Sequence, residues 1–401
     1  FVVAPNYRPG WNPLEPDQDL RTTGLINAVY RGLNDVKTCV RYLKKEAVNL
    51  GIDPNKIILY GQGTGGYLTL NYAALDDISE FEIEKFTTAG GDAMIDTAIV
   101  GGLDGFGGVA NLDNWPGFSN DVLVCINAGG GLGDSTWLEA GEPPVISFHC
   151  PDDPFAPFYE GMVIVPGANL NVVRVSGAKW VIAEQNMNGN NDVFRNVTYT
   201  DPYSMAAYSA LASGHPALGL TASDYEGLFP FVRAVPVPGG APGQVFPEAS
   251  PWDWWDETVV VQTANGLGQD GQTIYDNSLL TNPDMSAMKA RLYLDSIQGY
   301  LAPRLRTLLE GDVSVEETGF ANANTFVYPN PASDYLIVKT RKGIKIKDVE
   351  IFNITGALVK SENGLNTFRH SISGIDQMTP GLYLIKVTTD NGIITRKAFV
   401  Q

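Results

Sequence analysis

Apolar positions in the first three quarters of the chain keep changing period. Ala28, Leu33, Val36, Val40, Leu43 and Ala47 recur at helical spacing, with Arg31, Lys37, Arg41, Lys44 and Lys45 between them. That pattern predicts an amphipathic helix over Leu25–Leu50, stopped by Gly51 and followed by a turn at Asp53-Pro54. Short apolar runs at Phe1–Ala4, Lys56–Tyr60, Asp121–Asn127 and Val145–His149 read as strands, while Tyr67–Leu75, Tyr203–Leu211 and Asp284–Leu309 read as helices. Such alternation predicts an α/β fold with a mostly parallel sheet and helices on both faces. Sheets of this kind carry their sites at the carboxyl ends of the strands, here after Tyr60, Asn127 and Phe148.

From Thr325 the period drops to two. Seven short runs follow: Phe326–Tyr328, Tyr335–Lys339, Lys347–Phe352, Leu358–Glu362, Thr367–Ser371, Gly381–Thr388 and Ile393–Val400. Turn residues separate them, Asp390-Asn391-Gly392 being a hairpin signal. Seven short strands in under 80 residues predict a small all-β immunoglobulin-like sandwich. Leu336, Val338, Val349, Ile351, Leu382, Leu384 and Val387 are its expected core, with Phe399 closing one edge.

Charge follows the same division. The chain of 401 residues carries a formal net charge of −18, yet residues 323–401 hold ten basic and six acidic side chains. The polar stretch 310–324 is the expected linker, giving a 1–309 domain and a 325–401 sandwich. An acidic chain lacks the basic footprint of a nucleic-acid binder. No apolar run approaches the ~20 residues needed to span a bilayer, so no membrane span is expected. Cys39, Cys125 and Cys150 form neither a disulfide framework nor a metal spacing, and each reads as a buried free thiol. A single disulfide stays open if the protein is exported. Neither Asp152-Asp153 nor Asp104 and Asp113 sit in a spaced oxygen-ligand loop, so no metal or other cofactor is expected. With Phe1 in place of Met, the expectation is that the numbered chain is a mature or fragmentary piece.

The glycine turn Gly61-Gln62-Gly63-Thr64-Gly65-Gly66 has three readings. As G-x-G-x-x-G it matches the dinucleotide fingerprint, but no strand ending in an acidic residue follows about 20 residues on. As G-x-S-x-G it matches a nucleophile elbow whose central position is Gly63. Shifting the frame to Thr64 puts Gln62 where the tight turn needs a small residue. As a plain turn it lets a helix pack close to a strand.

Four ordered blocks surround this turn: Pro5-Asn6-Tyr7-Arg8, Tyr30-Arg31-Gly32-Leu33-Asn34-Asp35, Leu50 to Ile57, and Gly61 to Gly66. In order and spacing they resemble the carboxylesterase/lipase branch of the α/β-hydrolase superfamily. His149-Cys150-Pro151-Asp152-Asp153-Pro154-Phe155-Ala156-Pro157 resembles a fifth block, which carries the acid of the triad. The resemblance covers roughly Phe1–Leu309 and implies an α/β-hydrolase-like sheet, with the superfamily's N-terminal strands and His-Gly-Gly oxyanion motif preceding this chain. It places Gly63 at the nucleophile position, Thr64 at the oxyanion position and Asp153 at the acid position. His215, the one histidine between Asp153 and the last helix, is the candidate base. Gly63 and Asp153 should lie within about 15 Å of each other, about half a small domain, and His215 should not contact Asp153.

Glycine offers neither oxygen nor sulfur for acyl transfer. The expectation is therefore a hydrolase fold without serine-hydrolase chemistry, acting by binding or surface assembly. The alternative is an active extracellular carboxylic-ester hydrolase with an unconventional nucleophile. Trp252, Trp254 and Trp255 are candidates for an aromatic platform that stacks on glycans, against the plainer reading of a packing cluster. Gly101–Gly108 reads as a flexible loop near the elbow, and Pro236–Pro251 as a surface loop.

In the last segment, Tyr328-Pro329-Asn330-Pro331-Ala332, Val349 to Gly356, Pro380 to Val387 and Lys397-Ala398-Phe399-Val400 resemble the type A C-terminal sorting domain of the type IX secretion system of Bacteroidota. The resemblance implies export across the outer membrane to the cell surface or medium, with that machinery as partner. Other cell-surface proteins or glycans are further candidate partners.

Overall fold

The computed structural model describes residues 1–8, 10–110, 114–165, 168–213, 218–221, 224–310, 324–341, 343–354 and 356–401. The first helix runs over Gln18–Lys45, longer at its start than the apolar period indicates, because Asp17 caps it by accepting the Leu20 N–H. Gly51, at φ 66°, closes the short turn of helix that follows. Among the described residues the body contains β1 (Ile58–Gln62), β2 (Val124–Ala128), β3 (Val145–His149), β4 (Glu160–Val165), β5 (Leu170–Ser176) and β6 (Leu228–Pro230). A parallel sheet is built in the order β1-β2-β3-β6, and β4 pairs with β5 as a separate antiparallel hairpin that the periodicity did not indicate.

Alternate residues of these strands feed two cores. Val124, Ile126, Ala128, Ile146 and Phe148 pack with Ile297, Tyr300 and Leu301 of the Ala287–Glu310 helix. Cys125 and Val145 face the other way, toward Leu33 and Val40 of the first helix and Leu70 of the Thr64–Ala74 helix. Both faces are covered, as expected for a parallel sheet.

Several boundaries move. Phe1–Ala4 forms no strand; Phe1 and Val2 are exposed, and the segment after them is held to the first helix by Arg8, which ion-pairs with Asp35 at 2.8 Å. β1 starts later than expected and runs into the glycine turn, because Gly61 and Gln62 still pair with Asn127 and Ala128. Gly101–Gly108 lies against the first helix and not at the elbow: Tyr30 donates to the Gly101 carbonyl at 2.9 Å, and Arg41 lies 4.6 Å over the Phe106 ring. The three cysteines are free, Cys125 and Cys150 buried and Cys39 half-buried.

The tail contains β7 (Thr325–Tyr328), β8 (Tyr335–Thr340), β9 (Ile346–Asn353), β10 (Leu358–Glu362), β11 (Arg369–Ser373), β12 (Gly381–Thr389) and β13 (Gly392–Val400). Two antiparallel sheets, β10-β9-β12-β13 and β11-β8-β7, enclose one core. Leu336, Val338, Val349, Ile351 and Val387 lie in it as expected. Leu382, Leu384 and Phe399 do not. On β12 the inward set is Tyr383, Ile385 and Val387, and on β13 it is Ala398 and Val400. The Tyr383 ring enters opposite the small Ala398 and its hydroxyl donates to the Thr379 carbonyl at 2.7 Å, which fixes the parity and turns Leu382 and Phe399 outward together. The expected linker falls almost wholly on residues 311–323, outside the described set. No described helix is long and apolar enough to cross a membrane.

Candidate functional site

At the carboxyl end of β1 the chain reverses sharply into the Thr64–Ala74 helix. Gly63 sits in the turn at φ 55°, ψ −116°, a conformation costly for side chains other than hydrogen. Its N–H donates to the Ala128 carbonyl at 2.8 Å, tying the turn to the end of β2. A Cβ built on Gly63 would meet nothing within 4 Å, so the turn points into open space. Gly66 is different: a Cβ there would lie 2.5 Å from Asn127 Oδ1, so glycine lets the helix approach β2. Asn127 in turn accepts the Gly130 N–H at 2.8 Å.

Thr64 opens the helix, so its N–H is among those without an intrahelical acceptor. Its hydroxyl is exposed and lies 2.7 Å from the Tyr7 hydroxyl.

Asp153 lies on the loop after β3. Its Oδ1 accepts the N–H groups of Phe155 at 2.7 Å and Ala156 at 3.1 Å, and Oδ2 lies 3.6 Å from His149 Nε2. That same Nε2 is 2.9 Å from the Ala156 carbonyl. Burial pushes the Asp153 carboxyl up, against the opposing pull of His149 and the two amides, and pushes the His149 imidazole down. A Cβ on Gly129, the residue after Ala128, would lie 3.5 Å from Asp153 Oδ2, so the acid and the glycine turn meet at the end of β2. Tyr67 bridges them from the helix, donating to the Phe155 carbonyl at 3.0 Å. His215 lies outside the described residues.

The tryptophan cluster divides. Trp252 is buried against Phe231 with ring centroids 5.8 Å apart, so it is packing and not a platform. Trp254 and Trp255 are exposed. Asp253, between Trp252 and Trp254, accepts a hydrogen bond from Gln62, which precedes Gly63. Burial raises the Asp253 carboxyl, and burial together with Asp253 pushes the Tyr60 hydroxyl up to about 12. A cavity of about 350 Å³ opens beside this pair, lined by Phe155, Asp253, Trp255, Ile274, Asn277 and Asn282 among others. A second, of about 550 Å³, is lined by Tyr7, Arg8, Asp35, Cys39, Tyr42 and Trp115 among others. The elbow thus stands between two hollows, joined to one through Gln62 and to the other through Tyr7.

Sequence reasoning brought Gly63, Thr64 and Asp153 to one end of the sheet but assigned no role to His149, Gln62, Tyr7 or Tyr67. His149 had a signal, its position four residues before Asp153 at the end of a strand. Gln62 and Asp253 had none, lying 191 residues apart, the first at the end of β1 and the second in a loop-rich stretch.

Residues 27–122 match the BD-FAE family model, and residues 326–401 match the secretion system C-terminal sorting domain. The chain therefore joins an esterase-like α/β domain to a type IX sorting domain, which directs it to the cell surface or extracellular space. Among solved structures it is similar to a thermophilic esterase from the planctomycete Thermogutta terrifontis, bound to propionate, at 19% identity and a TM-score of 0.23. That alignment covers 32% of this chain and 46% of the esterase, under half of its length. It is also similar to dimeric latent PorU from Porphyromonas gingivalis, at 21% identity and a TM-score of 0.15, over 19% of this chain and 9% of that one. No curated protein matches the chain.

Proposed function

We propose that this is a secreted esterase-like protein that works by binding and not by serine-hydrolase turnover. The observation carrying the reading is Gly63: the strained turn is retained, its outward side is open, and the position that would project a nucleophile has no side chain. Thr64 does not replace it, since its hydroxyl is engaged with Tyr7. Asp153 is held by His149 and two backbone amides, which supports a retained structural role for the acid loop. The exposed rings of Trp254 and Trp255, the latter lining the cavity beside Asp253, favour a glycan or another cell-surface molecule as the bound species.

The test is ester hydrolysis by the purified chain on short-chain nitrophenyl esters. The parent should show no turnover beyond a residual rate of roughly 10³–10⁴ over water from binding and oxyanion donors alone. Gly63→Ser should raise the rate at least about tenfold, because the outward side of the turn has room for the new hydroxyl even though the backbone there is strained for a side chain, and Asp153→Asn in that background should remove the gain. Efficient turnover by the parent, lost in Thr64→Ala, would establish the alternative of an unconventional nucleophile.

A further inference from the structure

The opposite pole of the parallel sheet carries a second set of contacts. Val122, just before β2, and the loop Glu139–Glu142, just before β3, lie at the amino ends of the strands. Arg341, one residue past β8, donates from Nη1 to the Val122 carbonyl at 3.1 Å and from Nε to the Gly141 carbonyl at 3.3 Å. Lys339, on β8, pairs with Glu139 at 2.9 Å. A Cβ on Gly141 would lie 3.3 Å from the Lys339 side chain and 3.5 Å from Phe326, so the tail approaches closely there. Gly141 has φ 108°, a second reason for glycine at this position.

The body builds this loop itself. Buried Asn190 accepts the Gly141 N–H at 2.8 Å and donates to the Glu139 carbonyl at 2.8 Å. Glu139 and Gly141, the two loop residues that meet the tail, are therefore held in place from the body side. Acidic groups surround the contact: Asp76 and the buried Glu142 feel Lys339, and Asp192 feels Arg396 of β13. An arginine that donates to two backbone carbonyls of separate segments is a directed contact, more specific than charge attraction alone.

We propose that the sorting domain is latched onto the body at this acidic pole, with Arg341 and Lys339 as the latch, and that severing the connecting segment does not by itself free it. The charge asymmetry of the sequence then has a local use: part of the tail's positive charge is committed to its own body. Release requires the ionic contacts to be screened or displaced as well.

The experiment uses the full chain with a protease site inserted directly after Glu310. After cleavage, the two pieces should co-elute on size exclusion at about 50 mM salt and separate at about 500 mM, where the screening length is far shorter. Lys339→Glu and Arg341→Ala should each separate the pieces at low salt, with dissociation constants raised at least about tenfold. Adding Glu139→Lys to Lys339→Glu should restore co-elution. Separation of the parent pieces at low salt, retention in both variants, or failure of the charge swap would each overturn the latch. Zero-length carbodiimide coupling of the uncut chain gives a readout free of folding effects. It should join Glu139 to Lys339, with the Glu350–Lys386 pair at 2.7 Å inside the tail as internal standard. Coupling of the standard alone would also overturn the proposal.

Discussion

In the body, β2 and β3 are buried on both faces, and seven of their ten residues are apolar. A slip of one position there exchanges one buried side chain for another. In the tail, β12 buries one side only, yet Leu382 and Leu384 on its outer side are as apolar as Tyr383 and Ile385 on its inner side. A slip of one position turns the whole set over. Apolarity alone therefore locates a parallel strand but does not orient an antiparallel one. What orients β12 is its partner: Ala398 and Val400 leave room inside, while Phe399 faces Leu382 outside.

Truncations can break or sharpen this contrast, read by urea unfolding with each transition assigned to body or tail. Phe148→Ala empties the sheet-to-helix core and should cost about 3–5 kcal/mol in the body transition alone. Ile385→Ala should cost about 2–5 kcal/mol in the tail transition alone. Glu80 adds an electrostatic contrast. Burial raises its carboxyl from 4.5 to about 7, against the Asp76 and Asp77 amides that favour the charged form. Between those values the folded body holds a proton that the unfolded chain has released. The Glu80 contribution to body stability should therefore be fully present below pH 4.5 and be lost as pH rises through about 7. The group is partly exposed, so the loss is on the order of 1 kcal/mol, and Glu80→Gln should flatten it. The smallest effect belongs to Phe399→Ala, which should change tail stability by about 0.5 kcal/mol or less because the ring faces outward. A cost comparable to that of Ile385→Ala would mean that the parity of β13 is misread.

The sequence made the parallel sheet, its two helical layers and the seven tail strands legible, because each rests on local period and turn chemistry. The elbow was legible for the same reason: Gly61 and Gly66 have no room for a Cβ, and Gly63 between them takes the positive φ of the turn. What was not legible depended on distant partners. Tyr383 reads inward only once Ala398 is known to lie across from it. Trp252 and Trp254 look alike in the sequence, and only Phe231 separates the buried ring from the exposed one. Asp53-Pro54 signalled its turn unaided, whereas Asp17, the true start of the first helix, lay outside the apolar period that suggested Leu25.

Arg341 holds carbonyls at the amino ends of β2 and β3, whereas Gly63 stands at the carboxyl end of β1, so the length of the strands lies between tail and elbow, about 3.3 Å for each residue. A propeptide that keeps a protein latent does so by plugging the cleft it guards. The described tail residues touch the far end of the sheet, so a chain with its tail and a chain without it would present the same mouth to solvent. A cut in the connecting segment would then leave the cleft and whatever it receives unchanged.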